Sequence, residues 1–233
     1  LAEHAHLTAL CECYGAAPPP ADAIHFGARL GGFRVRWEKH AEFSSYAFYG
    51  GGAVPAEWLA AIPGRTLVAT RAELFARTQP VPDAAGIAAL FERNDVVGAE
   101  IGDGAALVYT DFRIHADGYG HFAVFDRGLS RRQAARTLQR LFEIETYRMM
   151  ALLALPVARA AAPQLREMEN ELASLAAMIA AHAGTDEQAL EALTRLAARV
   201  EKMIADSRYR FGAARAYYDL TLARIAELRE SRL

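Results

Sequence analysis

The chain is poor in cysteine and lysine and has no long apolar run, and each shortage excludes something. Cys11 and Cys13 are the only cysteines among 233 residues. Two residues apart on a helix they point to different sides, so they form neither a disulfide nor a metal knuckle, and a reducing compartment fits best. No stretch approaches the roughly 20 consecutive apolar residues that span a bilayer, and no signal peptide opens the chain. Lysine occurs only at Lys39 and Lys202 among 26 basic residues. With alanine abundant, that bias is what a GC-rich codon composition produces without functional pressure. Glycine-rich turns occur at Gly31-Gly32 and Gly50-Gly51-Gly52, but no Lys-Ser/Thr pair or helix start follows them as a phosphate loop requires. Ser44 and Ser45 lack the G-x-S-x-G setting of a hydrolase elbow, and Cys11 lacks an electropositive neighbour, so nucleophilic catalysis has no support.

What is present describes an ordinary globular chain. Hydrophobic residues make up 53% and charged residues 23%, with a mean hydropathy of +0.02, which excludes global disorder. Net charge is −2. Residues 1–130 carry ten basic against fifteen acidic side chains and residues 131–233 sixteen against thirteen, but the basic residues alternate with glutamate along helices. No basic stripe forms, and nucleic-acid binding is not expected.

The periodicities predict an α+β fold: an antiparallel or mixed sheet with short helices over residues 1–129, then an all-helical part over 130–233. Residues 3–14 place Leu7, Leu10, Cys11 and Tyr14 on one helical face. Phe33, Val35 and Trp37 alternate with Arg34, Arg36 and Glu38 as a half-buried strand, with residues 43–49 as its antiparallel neighbour. Short helices are expected at "PAEWLAAIP" and "DAAGIAALFERND", and a strand in "GRTLVATRAEL". Breaks at Gly102-Asp103-Gly104 and Asp117-Gly118 divide residues 96–128 into a three-strand meander, since Asp-Gly between alternating apolar runs is a strong hairpin signal.

From Ser130 the period changes to about 3.6. Ser130 and Gln133 form a capping box for a helix that runs to Pro156. Seams at Leu165, Met168, Leu172, Leu175 and Ile179, and at Leu193, Leu196, Val200 and Met203, predict an antiparallel helical hairpin. Gly184 suits its turn, and Thr185 with Gln188 caps its second arm. Phe211, Ala214, Tyr218, Ile225 and Leu228 mark a further helix, for about four in all. That last helix has no stop signal, so the chain reads as part of a longer protein with the final helix continuing.

Two polar groupings stand out. His40, Glu42, Asp111, Arg113, His115 and Asp117 lie on or beside two expected hairpins and are a candidate set for acid–base work or a divalent cation. Solvated strand faces explain them more simply, because no short ligand pair anchors the set. Glu145 falls on an apolar helical stripe and needs a partner if buried, with Arg148, Arg210 and Arg215 as candidates. No catalytic residue, cofactor or specific metal is expected beyond a possible divalent cation.

Four stretches, "FRVRWEKHAEFSSYAFYG", "YTDFRIHADGYGHFAVFDRGLS", "EIETYRMMALLALPVAR" and "YRFGAARAYYDLTLARIAELRESRL", resemble an uncharacterised bacterial family of predicted membrane-anchored proteins known as domain of unknown function family 3422. The resemblance implies more helix and hydrophobic segments beyond residue 233. It makes the chain the soluble part of a protein anchored at the cytoplasmic face of the inner membrane, touching the membrane only through segments outside this sequence. The family supplies no active-site residues. The layout is also similar to that of CorA-type divalent-cation transporters. The leading expectation is a non-enzymatic domain for regulation, assembly or interaction, with self-association through the C-terminal helix. The alternatives are a CorA-like cytosolic domain and an enzyme using the His/carboxylate set.

Overall fold

The computed structural model describes residues 2–232, Arg232 by its backbone alone, and divides into two compact units, Leu1–Thr66 and Leu67–Leu233. The α+β class is as expected. The division into compact units falls after Thr66, and residues 129/130 lie inside the second unit, where the helices supply Leu141, Ile144 and Leu228 to the core of the meander.

The first unit contains helix α1 (Ala2–Cys13), strands β1 (His25–Leu30), β2 (Phe33–Lys39) and β3 (Ser44–Gly50), and the short helix α2 (Ala56–Ala60). The strands form an antiparallel sheet in that order. Phe33, Val35 and Trp37 are buried and their neighbours Arg34 and Arg36 exposed, as the period of two requires. Leu10 and Cys11 of α1 pack with Leu30, Phe33 and Val35, and burial pushes the Cys11 thiol up, so it is an inert core residue. The His6 ring stacks on Trp58 at 4.2 Å and donates to its carbonyl, while Trp58 Nε1 donates to the His6 carbonyl, which staples α1 to α2. The glycine runs have a steric cause. A Cβ on Gly52 would lie 2.7 Å from the Gly32 carbonyl carbon, and one on Gly50, at φ +124°, would lie 2.7 Å from the Gly32 oxygen.

The second unit contains β4 (Thr70–Phe75), α3 (Ala84–Ala89), β5 (Val97–Ile101), β6 (Ala106–Thr110), β7 (Gly120–Asp126), α4 (Arg131–Leu152), α5 (Ala154–Ala180), α6 (Asp186–Leu228) and β8 (Ser231–Arg232). Its sheet order is β4-β7-β6-β5-β8. The expected meander β5-β6-β7 is antiparallel, and β4 joins it parallel to β7. Both faces are covered. Val108, Phe122 and Val124 pack on Leu141 and Ile144 of α4 and Leu228 of α6, while Leu107, Ala123 and Phe125 pack on Ile87 of α3 and Phe91 just after it.

Both predicted capping boxes form, Ser130 with Gln133 and Thr185 with Gln188. Helices α4 and α5 meet at Leu153, where the helix is interrupted, and together run antiparallel to α6. Arg140 meets Glu227 at 2.8 Å, Arg224 meets Glu143, and Arg199 meets Glu171. Two expectations are corrected here. The second hairpin arm and the last helix are one 43-residue helix, because Gly212 alone in a helix-favouring context does not break it. Nor does that helix run on from residue 228. Arg229 adopts a left-handed conformation at φ 50°, Gly102 N–H donates to the Leu228 carbonyl at 2.8 Å, and the chain then adds β8 to the edge of β5. An arginine in that conformation costs roughly 1–2 kcal/mol, which the bonds to the sheet offset.

Candidate functional site

The β6–β7 connection, residues 111–119, holds a network of charged groups. Asp111, at the end of β6, is buried and acts as an Asx turn: its Oδ1 accepts from Arg113 N–H at 3.1 Å and its Oδ2 from Asn94 Nδ2 at 2.8 Å. Asn94 follows Glu92 and Arg93, both at positive φ, in the turn that leads into β5. His115, also buried, lies with Nε2 3.0 Å from Asp111 Oδ2 and Nδ1 3.4 Å from a Glu92 oxygen. The first contact is off the axis of the ring N–H, so it acts by charge more than by an aligned hydrogen bond. The His115 ring stacks parallel on His121 at 4.2 Å. His121 Nε2 is 3.0 Å from Asp117, whose carboxylate also accepts from Tyr119 N–H and faces Arg71 at 3.4 Å.

Burial opposes charge on both central groups, and the partners outweigh it. His115 is raised above the ordinary imidazole range because Asp111 and Glu92 together overcome desolvation. Asp111 is held below the ordinary carboxylate range because Arg113 N–H, Asn94 and His115 overcome the same penalty. The two shifts give opposite limbs of a stability profile. The depressed Asp111 contributes stability that is lost as pH falls below about 4, and the raised His115 contributes stability present below about 6.5 and lost as pH rises beyond it. Denaturant unfolding at intervals from pH 3 to 9 should show a maximum between those limits. His115→Gln should flatten the limb above pH 6.5 and leave most of the acid limb; an unchanged alkaline limb in that variant would contradict the assignment.

The network joins only part of the expected set. Asp111 touches His115, the Arg113 backbone serves Asp111 while its side chain is exposed, and Asp117 belongs with His121. His40 and Glu42 lie in the β2–β3 turn of the first unit, where His40 stacks on Phe43 at 4.3 Å and approaches Ser45 Oγ at 3.4 Å. Glu92, Asn94, His121 and Arg71 complete the network. Both His115 nitrogens face carboxylates and the ring is enclosed, so neither is presented to a reactant. Among the described residues, no group of three or more His, Cys, Asp or Glu side chains converges to hold a metal ion.

A second feature is a cavity of about 150 Å³ walled by Leu67, Val68, Phe112, Ile114 and Met149, with Glu145 and Arg148 on one side. Glu145 is buried and forms a bidentate pair with Arg148, Nε to Oε2 at 3.0 Å and Nη2 to Oε1 at 2.6 Å, and the guanidinium lies 5.2 Å over the Phe112 ring. Arg215 pairs with Asp219 on its own helix, and Arg210 lies over Tyr209.

A third feature is the distal hairpin of α5 and the first half of α6. Met168 and Leu196 are buried in its seam, yet Leu165, Leu172, Ile179 and Ile204 stand 47%, 50%, 49% and 51% exposed. No helix in the described residues is long and apolar enough to cross a membrane.

A family model described as "Protein of unknown function (DUF3422)" matches residues 1–233. The chain belongs to the DUF3422 family. No curated protein and no solved structure matches this DUF3422 chain.

Proposed function

We propose that this DUF3422 chain is a non-enzymatic interaction and assembly domain, carried at the cytoplasmic face of the inner membrane by a protein whose anchor lies outside the sequence. The observation that carries the reading is the distal hairpin, which exposes large apolar side chains at helical spacing on both arms. Exposed apolar surface that is contiguous, not scattered, marks a contact site. The histidine network supports the same reading, since its titratable groups are spent on one another. Photo-reactive residues placed along the arms of the full-length protein in cells test it: adducts are expected from the apolar side of the hairpin and not from its charged side.

A further inference from the structure

The hairpin has two unlike sides. On α5 the seam runs through the buried Met168 and the half-buried Leu175, and Leu165, Leu172 and Ile179 lie about 20–60° round from Met168, all in one rotational sense. On α6 the seam runs through Leu196 and Met203, and Leu193, Val200 and Ile204 lie about 40–80° round from Leu196 in the same rotational sense. In an antiparallel pair, equal rotations from the shared seam end on the same side. The six side chains therefore form one two-helix face. A quarter turn the other way lie Glu167 and Ser174 on α5 and Glu191, Arg195, Lys202 and Asp206 on α6, tied by the pairs Arg195–Glu191 and Lys202–Asp206. A hairpin that met only water would have no reason to be polar on one side alone.

We propose, on the interaction reading above, that this apolar face is the contact surface for a second copy of the chain, the two hairpins forming a parallel-aligned four-helix bundle about a two-fold axis along their length. Two observations select this occupant. The first is register. The contacts of Arg199 with Glu171 and, at 3.6 Å, with Glu167 set α5 against α6 so that Leu165 stands level with Ile204, with Leu172 and Val200, and Ile179 and Leu193, each within about one turn. A two-fold axis along the hairpin lays α5 of one copy on α6 of the other at unchanged height. All three α5 side chains then meet an apolar counterpart, the self-complementarity an isologous interface requires. The second is area. On α6 the apolar side continues through Leu190 and, five turns on from Leu193 and Val200, through Phe211 and Tyr218, all exposed, so from Leu190 to Tyr218 the strip is about 40 Å long and about 20 Å wide, on the order of 800 Å² per copy, which is the size of a stable interface. A membrane surface fits less well. Glu169 and Glu201 stand beside Arg166 and Arg208 along the edges, where a membrane-lying face would carry mainly Lys and Arg.

Sedimentation of the purified chain from 1 to 100 µM tests the proposal. The wild type should reach twice its 25.4 kDa, and Leu172→Glu/Val200→Glu should stay at the monomer mass with unchanged helical circular dichroism. Ser174→Glu/Lys202→Glu, on the charged side, should remain dimeric. Because the axis runs along the hairpin, both tips lie at one end. His182→Cys in a Cys13→Ser background should join two copies through a short bismaleimide. A wild type monomeric at 100 µM, a dimer indifferent to the L172E/V200E pair, or a dimer without tip cross-linking would each overturn the proposal. So would a monomer that floats with anionic vesicles through the same face. A purified monomer whose full-length form still forms cellular adducts from Val200 overturns self-pairing alone and leaves the interaction reading in place.

Discussion

Trp37→Ala should unfold the first unit. Trp37 is fully buried at the centre of β2, with His4 edge-on at 5.1 Å and Phe33 and Val35 beside it on the inner face of the strand. Removing a buried indole costs about 3–5 kcal/mol, from lost burial and from the cavity left behind. A unit of 66 residues has roughly 3–10 kcal/mol to lose at the usual 0.05–0.15 kcal/mol per residue, so the loss is comparable with the whole. The only other tryptophan, Trp58, is in the same unit and stacked on His6, and its emission in the variant reports that unit without interference. The urea transition followed by Trp58 should fall to very low denaturant or disappear. A midpoint within a few tenths molar of the value for Trp58 in the wild type would show that the sheet does not depend on this side chain.

Arg148→Ala should destabilise the second unit strongly. It takes the bidentate partner from the buried Glu145 carboxylate, which lines the cavity with Phe112 and Met149. Breaking a fully buried pair costs about 3–5 kcal/mol. The Arg148 side chain is 33% exposed, which reduces the expectation to about 2–3 kcal/mol. Replacing both partners, as Glu145→Leu/Arg148→Met, removes the stranded charge and should recover most of that loss, because a buried pair contributes little over an apolar pair of similar volume. Urea midpoints read by circular dichroism, dominated by α4, α5 and α6, check the comparison. If the double variant is no more stable than Arg148→Ala, the loss comes from packing and not from the unpaired carboxylate.

Much of this architecture is legible in the sequence because it is dictated locally. The alternation at Phe33, Val35 and Trp37 sets the inner face of β2, Asp-Gly marks the meander's turns, and Ser130 and Thr185 announce the two long helix starts. What escaped depends on contacts distant in sequence. Strand β1 has Gly27 at its centre and little β-propensity, and it forms because Phe26, Ala28 and Leu30 complete the face begun by β2. Strand β8 exists because β5 offers a free edge and Gly102 N–H catches the end of α6, neither of which residues 229–232 reveal. In the site, Asp111 and His115 are an i, i+4 pair and visible as such. Glu92 and Asn94 reach them through consecutive left-handed residues at 92 and 93, a turn that no glycine signals. The Gly32, Gly50 and Gly52 cluster reads in sequence only as turns, and in three dimensions as a backbone crossing too close for any side chain.

The central claim is that the apolar side of the hairpin is where this protein meets its partner. It is tested most directly by placing one photo-reactive residue at Val200 and, separately, one at Lys202 in the full-length protein in cells. The two positions are on one stretch of α6 but on opposite sides of the hairpin. Efficient adducts from position 200 and none from 202 are the predicted result. Equal labelling at both positions would show that contact has no preference for the apolar side, and none at either would show that this face meets only solvent; each would contradict the account.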